Sequence, residues 1–276
     1  MAATPDWSGA GGDIWAERWR DTDRALSEIG AALDRAIRAA APAKPFTALD
    51  IGCGPGTTAL ALAAARPDAT VLGCDLSHAL VAVARERTAG NPSLSFTAED
   101  AEQAARDHGP FDLLISRHGV MFFDDPRRAF TTFRAATTAG GALVFSCFQS
   151  WERNAWAAEI ASAAAGKPLP PPGREPSGFA FADPEYVGEL LRGAGWTPAD
   201  PEPLAFDYVA GEGQAATDQA LDFFSVIGPA ARAMEAMDAP ARGAALDRMR
   251  TVIAEHNDGD RVTFPAAAWI WTARAQ

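Results

Sequence analysis

The sequence predicts a doubly wound α/β fold, and three observations carry that expectation. Residues 46–58 read FTALDIGCGPGTT, an apolar run that enters Gly52, Gly54 and Gly56 and continues into a helix-compatible stretch at 57–66. Short apolar runs of strand length recur at 69–75, 94–98, 111–115 and 142–147, with helical patterns between them. Helix starts and stops mark the intervals: Ser77, Asp125 followed by Pro126, and the pair Gly140-Gly141. Strands alternating with helices in this way build a parallel sheet covered on both faces.

The first unit is strand, glycine turn and helix, the place where such sheets take a ligand against the carboxyl ends of their strands. Glycine lets backbone approach a ligand that a Cβ would hold off. Spacing separates two ligand classes. A dinucleotide fingerprint needs G-x-G-x-x-G, with pyrophosphate on the helix N-terminus. Here the pattern is G-x-G-x-G, Thr57 stands where the third glycine of that fingerprint belongs, and an acid, Asp50, lies two residues before the first glycine. A nucleotide-cofactor oxidoreductase is disfavoured on this ground.

Composition narrows the class further. With 276 residues the chain is long enough to bury a proper core. Its formal net charge of -12 argues against a phosphate backbone as partner, so no nucleic acid is expected. Three cysteines, an odd count without a C-x-x-C pair, fit neither a disulfide framework nor a zinc site, and no metal is expected. The first residues lack the basic and apolar regions of a signal peptide, and no apolar run approaches the length that spans a bilayer. A cytoplasmic protein without membrane partners is the expectation, either monomer or homodimer.

Taken in order, residues 1–12 form a Gly-rich loop carrying Trp7. An amphipathic helix follows, with Asp13 as its N-cap and Trp15, Trp19, Leu26, Ile29, Leu33 and Ile37 at spacings of about three and four. Trp15 and Trp19 read as core, or, with Trp7, as a lid over the ligand pocket. The second strand ends at Asp75, 25 residues after Asp50, close to the offset at which an acid meets a ribose. Ser77 caps the next helix. The third strand ends in Glu99-Asp100, and the fourth leads into 116–126, S-R-H-G-V-M-F-F-D-D-P. Asp125-Pro126 opens a helix running to about 138. Beyond the fifth strand the pattern loosens into a helix at 151–165, a Pro-rich loop at 166–177, a helix from Asp183-Pro184 to Gly193, a strand at 204–210, helices at 215–227 and 239–256, and a last strand at 262–273, with Pro265 favouring its start or an edge.

Taken together, W-S-G-A-G-G-D-I-W at 7–15, L-D-I-G-C-G-P-G-T-T at 49–58, C-D-L-S at 74–77, A-E-D-A at 98–101, the 116–126 stretch and F-P-A-A-A-W at 264–269 resemble the UbiE-like, "type 11" branch of class I S-adenosylmethionine (SAM) methyltransferases. The resemblance runs essentially end to end. It implies a Rossmann-like, seven-stranded sheet in order 3-2-1-4-5-7-6 with the last strand antiparallel, and a helical cap. It implies one domain over 1–276: lid and helix at 1–40, SAM-binding core at 41–147, substrate insertion at 148–203 and the rest of the sheet at 204–276. It also implies SAM along Asp50, Gly52, Cys53, Gly54, Gly56 and Thr57, then Asp75 and Leu76 at the ribose, Asp100 and Ala101 at the adenine, and Ser116 after the fourth strand, with Trp7 and Trp15 closing above. The product would be S-adenosylhomocysteine. The absence of N-P-P-Y or a Pro-Cys pair after the fourth strand sets the chain apart from base-modifying enzymes. Where members of the branch tend to carry an aromatic such as Phe, this chain has His118.

The expected reaction is methyl transfer to a small molecule, on oxygen or nitrogen. Carbon methylation of the quinone-biosynthesis type and a catalytically silent SAM-binding protein are the alternatives. The aromatics at 145–181 suit a partly apolar acceptor, although each taken singly is ordinary core. His118 is the candidate general base, against the plainer reading of a satisfied wall residue. Arg117 is the candidate for orienting an anionic acceptor, or for supporting the loop.

Overall fold

A computed structural model of the chain describes residues 6–88 and 90–275. Five strands, β1 Phe46–Ile51, β2 Ala69–Asp75, β3 Leu94–Ala98, β4 Phe111–Arg117 and β5 Thr137–Phe148, run parallel in the order 3-2-1-4-5. β8 (Arg261–Ala275) lies antiparallel on β5, and its far edge takes both β6 (Trp196–Pro198) and β7 (Glu202–Glu212). The doubly wound sheet with its antiparallel last strand is therefore as the resemblance implies, with one strand more: β6 has three residues, too few to show a period. The parallel strands are buried on both faces, which is why they read as apolar runs rather than alternations. Pro265 sits inside β8, but it faces β7 at Asp207 and lies beyond the stretch that pairs with β5, so its missing N–H costs no second ladder.

Crossover helices α4 (Thr57–Ala65), α5 (His78–Arg87), α6 (Ala101–His108) and α7 (Pro126–Ala135) flank the sheet. Ser77 caps α5 by accepting from the Leu80 N–H at 3.1 Å, and Asp125 caps α7 through Arg128 N–H. α7 stops at Ala135, earlier than its pattern suggests, because β5 begins at Thr137, ahead of the Gly140-Gly141 pair expected to end the helix.

The N-terminal region departs more. The single amphipathic helix is three: α1 (Ala10–Glu17), α2 (Trp19–Ala25) and α3 (Ser27–Ala40), broken at Arg18 and Leu26 where ψ turns positive. Asp13 lies in the first turn of α1 and does not cap it. Trp19 is half-buried, with the Arg20 and Arg87 guanidinium groups over its ring at 4.4 and 4.1 Å.

After β5, a short 3-10 turn at Trp151–Arg153 precedes α8 (Ala155–Ala165); α9 (Pro184–Gly193), α10 (Ala216–Val226), α11 (Pro229–Met234) and α12 (Ala239–Glu255) complete the chain's helices. α11, six residues long, has no sequence signal beyond Pro229. Aromatic rings knit this half together: Phe148, Trp156, Phe179, Tyr208 and Phe224 stack or tilt in sequence. Truncating any one of these buried rings to Ala would cost about 3–5 kcal/mol.

Candidate functional site

The glycine loop joins β1 to α4 at the carboxyl edge of the sheet. Gly54 has φ +53, and a Cβ placed there would meet no protein atom within 4 Å, so its face is open. Gly52, at φ +62, has its Cβ direction 3.1 Å from the Gly119 Cα, so the loops after β1 and β4 touch backbone to backbone.

Two carboxylates bracket the open face. Asp75, at the end of β2, accepts from the Gly54 N–H and from the Ser77 N–H, each at 2.9 Å, and so holds the loop's shape. Burial raises its pKa, and those two N–H bonds hold the rise down. Asp50 is 1% exposed and neither of its oxygens has a partner. Burial pushes it up to about 7, against the pull of Arg117. Besides Arg117, only the Ala59 N–H among the described residues is close enough to hold the rise down, and it is too poorly aligned to form a full hydrogen bond, so the buried carboxylate leaves a donor or cation to be supplied. Leu76, directly after Asp75, is 45% exposed, the single large hydrophobic side chain so exposed among the described residues. A ligand with a cationic end, a polar middle and a flat apolar ring matches Asp50, Asp75 and Leu76 in turn, and SAM has all three.

The other expected ligand residues divide. Asp100 caps α6 by accepting from the Gln103 N–H at 3.0 Å, which leaves its second oxygen outward; Ala101 is nearly covered. Cys53 is buried beside the loop, its thiol pushed up by burial, and Gly56 lies under Ala84 and Phe96. Thr57 is turned to another use: its hydroxyl donates to Asp23 at 2.7 Å and accepts from Arg87 at 2.9 Å. Ser116 has no exposed surface; its hydroxyl donates to the Ile51 carbonyl at 2.7 Å and accepts from Gly119 N–H, tying β4 to β1. Arg117, expected to orient an acceptor or to support the loop, meets Asp23 at 2.5 Å with its side chain 10% exposed. Sequence reading missed Asp23 and Arg87 altogether, since charges on an amphipathic helix carry no mark of what they will meet.

Trp7 packs edge-on against Trp15 and Phe122, with ring centroids 5.5 and 5.0 Å apart. A Cβ on Gly12 would fall 2.6 Å from Ser77 Oγ, so α1 lies directly on the start of α5. The segment therefore reaches both the β2 loop and the loop after β4. Residues 1–5 of the expected lid lie outside the described residues.

His118 follows β4 in the left-handed region, φ +64, the one non-glycine so placed among the described residues. Such a conformation costs energy and collects at functional loops. Its Nδ1 lies 2.7 Å from Ser146 Oγ on β5, its ring meets Phe148 edge-on at 4.2 Å, and its Nε2 has no partner. Burial, aided by the Arg117 charge, lowers it to about 3. The ring is thus neutral at pH 7, the form a general base needs, although burial makes it a weaker base than a free imidazole.

Residues 48–141 match a family model described as a methyltransferase domain. Malonyl-[acyl-carrier protein] O-methyltransferase 1 of Ilyobacter polytropus is 30% identical over 105 residues, 38% of this chain and 39% of that protein. Demethylmenaquinone methyltransferase of Clavibacter sepedonicus is 31% identical over 113 residues, 41% and 45% of the two. The chain spans about two fifths of the length of these curated relatives. The crystal structure of YcgJ protein from Bacillus subtilis shares the fold, with a TM-score of 0.58 at 16% identity over 89% of this chain and 98% of the other.

Proposed function

We propose that this chain is a class I SAM-dependent methyltransferase of the UbiE-like branch and transfers a methyl group to a small-molecule acceptor on oxygen or nitrogen, a reading supported by the methyltransferase-domain match over 48–141 and by the named relatives. The observation that carries this reading is the open Gly54 face between Asp75 and the unpartnered Asp50. When bound, SAM supplies an electrophilic methyl on a sulfonium. The chain's residues do the rest. Asp50 faces positive charge, Asp75 has lone pairs left for hydroxyls, Leu76 offers an apolar surface, and Trp7 with α1 keeps water out. Excluding water and fixing approach supply most of the rate in such a displacement.

Phe148, Trp156 and Phe179 form an aromatic wall beside His118, which favours an acceptor with an apolar body. A relative named for demethylmenaquinone keeps carbon methylation as the second reading. The net charge of -12 supports an acceptor that is not a nucleic acid. No helix among the described residues is long and apolar enough to cross a membrane. The three cysteines are buried and free, which supports a reducing, cytoplasmic setting. The same reading treats 1–276 as one domain, with 1–40 as lid and 148–203 covering the acceptor.

Calorimetry tests it. SAM and S-adenosylhomocysteine should bind and NAD should not; Gly54→Val fills the open face without striking protein and should abolish binding, at a cost in stability because a β-branched residue is strained at φ +53, so thermal melting must show that the variant is folded. NAD binding without SAM binding would overturn the reading. Release of S-adenosylhomocysteine with a pool of small acceptors separates an enzyme from a silent binder.

A further inference from the structure

His118 and Ser146 are buried together, and their protons can be counted. Ser146 has no exposed surface, and among the described residues its hydroxyl has His118 Nδ1 as its one side-chain partner, at 2.7 Å. If the imidazole proton sat on Nδ1, the serine O–H would have nowhere to donate and Nε2 would be an orphaned acceptor as well. If the serine O–H donates to Nδ1, a single group is left over, an Nε2–H. A buried polar group without a partner costs about 1–3 kcal/mol, so the second arrangement wins.

We propose that Ser146 fixes His118 as the neutral Nε2–H tautomer, and that this N–H is a hydrogen-bond donor to an oxygen of the methyl acceptor. Three observations support that use. The ring meets Phe148, the first ring of the aromatic wall, and its chain neighbour Gly119 touches Gly52 of the glycine loop. The histidine is 8% exposed, its Nε2 unpartnered, and its backbone is held in a conformation that costs energy. Ser146 is then a positioning residue, since it acts through the imidazole.

The consequence is a specificity rule. A ring that donates at Nε2 and is bonded at Nδ1 has no free lone pair to take a proton. The acceptor must bring an oxygen that needs none removed, such as a carboxylate or an already ionised hydroxyl, beside an apolar body. Its lone pair forms the new carbon–oxygen bond, the carbon–sulfur electron pair stays on sulfur, and no proton is released. This rests on the methyltransferase reading above, but the tautomer does not.

Nitrogen-15 NMR of the full chain at pH 7 reads the tautomer directly. A protonated Nε2 and a bare Nδ1 are expected; the reverse, or a doubly protonated ring, would overturn the proposal. Benzoate, an oxygen anion on a flat ring, is then titrated in the presence of S-adenosylhomocysteine. It should move the Nε2–H resonance downfield. Its Kd should rise at least tenfold in His118→Phe yet stay within about threefold in His118→Gln, whose amide donates but cannot serve as a base. Ser146→Ala should release the tautomer and weaken benzoate. No movement of the Nε2–H with saturating benzoate would reject the donor role. Failure of S-adenosylhomocysteine itself to bind would count against the methyltransferase reading and leave the tautomer result standing.

Discussion

The Asp23 carboxylate of α2 meets the Arg117 guanidinium at the end of β4, 2.5 Å away and 94 residues later in the chain. The same carboxylate accepts from Thr57 at the start of α4, and Arg87 joins it from α5 while donating to the Pro55 carbonyl. One acid thus latches the N-terminal helices to the glycine loop. Asp23→Ala should lower stability by about 2 kcal/mol, below the usual 3–5 for breaking a fully buried pair because both partners keep some solvent. Urea unfolding measures it. A change under 0.5 kcal/mol would make the latch a crowded surface pair.

Asp75 has two duties, so its loss should show twice. Asp75→Ala should weaken SAM by roughly 1.5–3 kcal/mol, the worth of hydrogen bonds to a charged group. It should also lower stability, because the Gly54 and Ser77 N–H groups lose their acceptor. Calorimetry and thermal melting together decide; a lower Tm with unchanged SAM affinity would leave Asp75 as a loop tie alone.

Asp50 makes both stability and binding depend on pH. Its folded pKa, about 7, stands above the unfolded carboxylate value of about 3.9. Between those values the folded chain keeps a proton that the unfolded chain has lost, so this contribution is full below about pH 4 and disappears as pH rises towards 7. At about 1.4 kcal/mol per unit the swing is about 4 kcal/mol, read as wild type minus Asp50→Asn to cancel other groups. His118 works the other way: lowered to about 3, it adds stability above the ordinary imidazole range that is lost as pH falls through it. A cationic ligand favours ionised Asp50, so SAM affinity should rise between pH 6 and 8 in wild type and stay flat in Asp50→Asn. A flat wild-type profile would put the ammonium elsewhere.

Trp7→Ala tests the lid more cleanly than removing residues 1–12, because α1 begins at Ala10 and a deletion would cut into it. Losing two edge-on ring contacts, each about 0.5–1.5 kcal/mol, should loosen the segment and speed SAM dissociation several-fold, with the sheet's unfolding unchanged. Stopped-flow release at the wild-type rate would return Trp7 to ordinary packing.

What was legible in the sequence was what repeats or caps. Apolar runs gave the strands, Ser77, Asp125 and Asp183 gave helix starts, and the glycine spacing gave the loop. What was not legible depended on partners distant in the chain. Asp23 looks like any exposed acid on an amphipathic helix until α2 is laid against β4. Ser116 and Thr57 sit in the right motif, yet their hydroxyls are taken by the Ile51 carbonyl and by Asp23. His118 read as a base because imidazole titrates near neutrality, and the burial beside Arg117 that lowers it left no mark in the sequence. Ser146 did leave a trace: a polar residue inside an otherwise apolar strand asks for a partner.

The long β8 also orders events in time. β1 to β4 pair with strands close by in the chain, but Phe145 of β5 meets Trp271 of β8 more than a hundred residues downstream. Closing a longer loop costs more entropy before any contact repays it, and distant pairings slow folding. The cradle for the methyl donor is therefore local and can assemble early, whereas the aromatic wall must wait for β8 to dock. A chain caught between those steps would carry a nearly finished nucleotide-type pocket and an open, sticky aromatic flank, and that interval is where aggregation during refolding would begin.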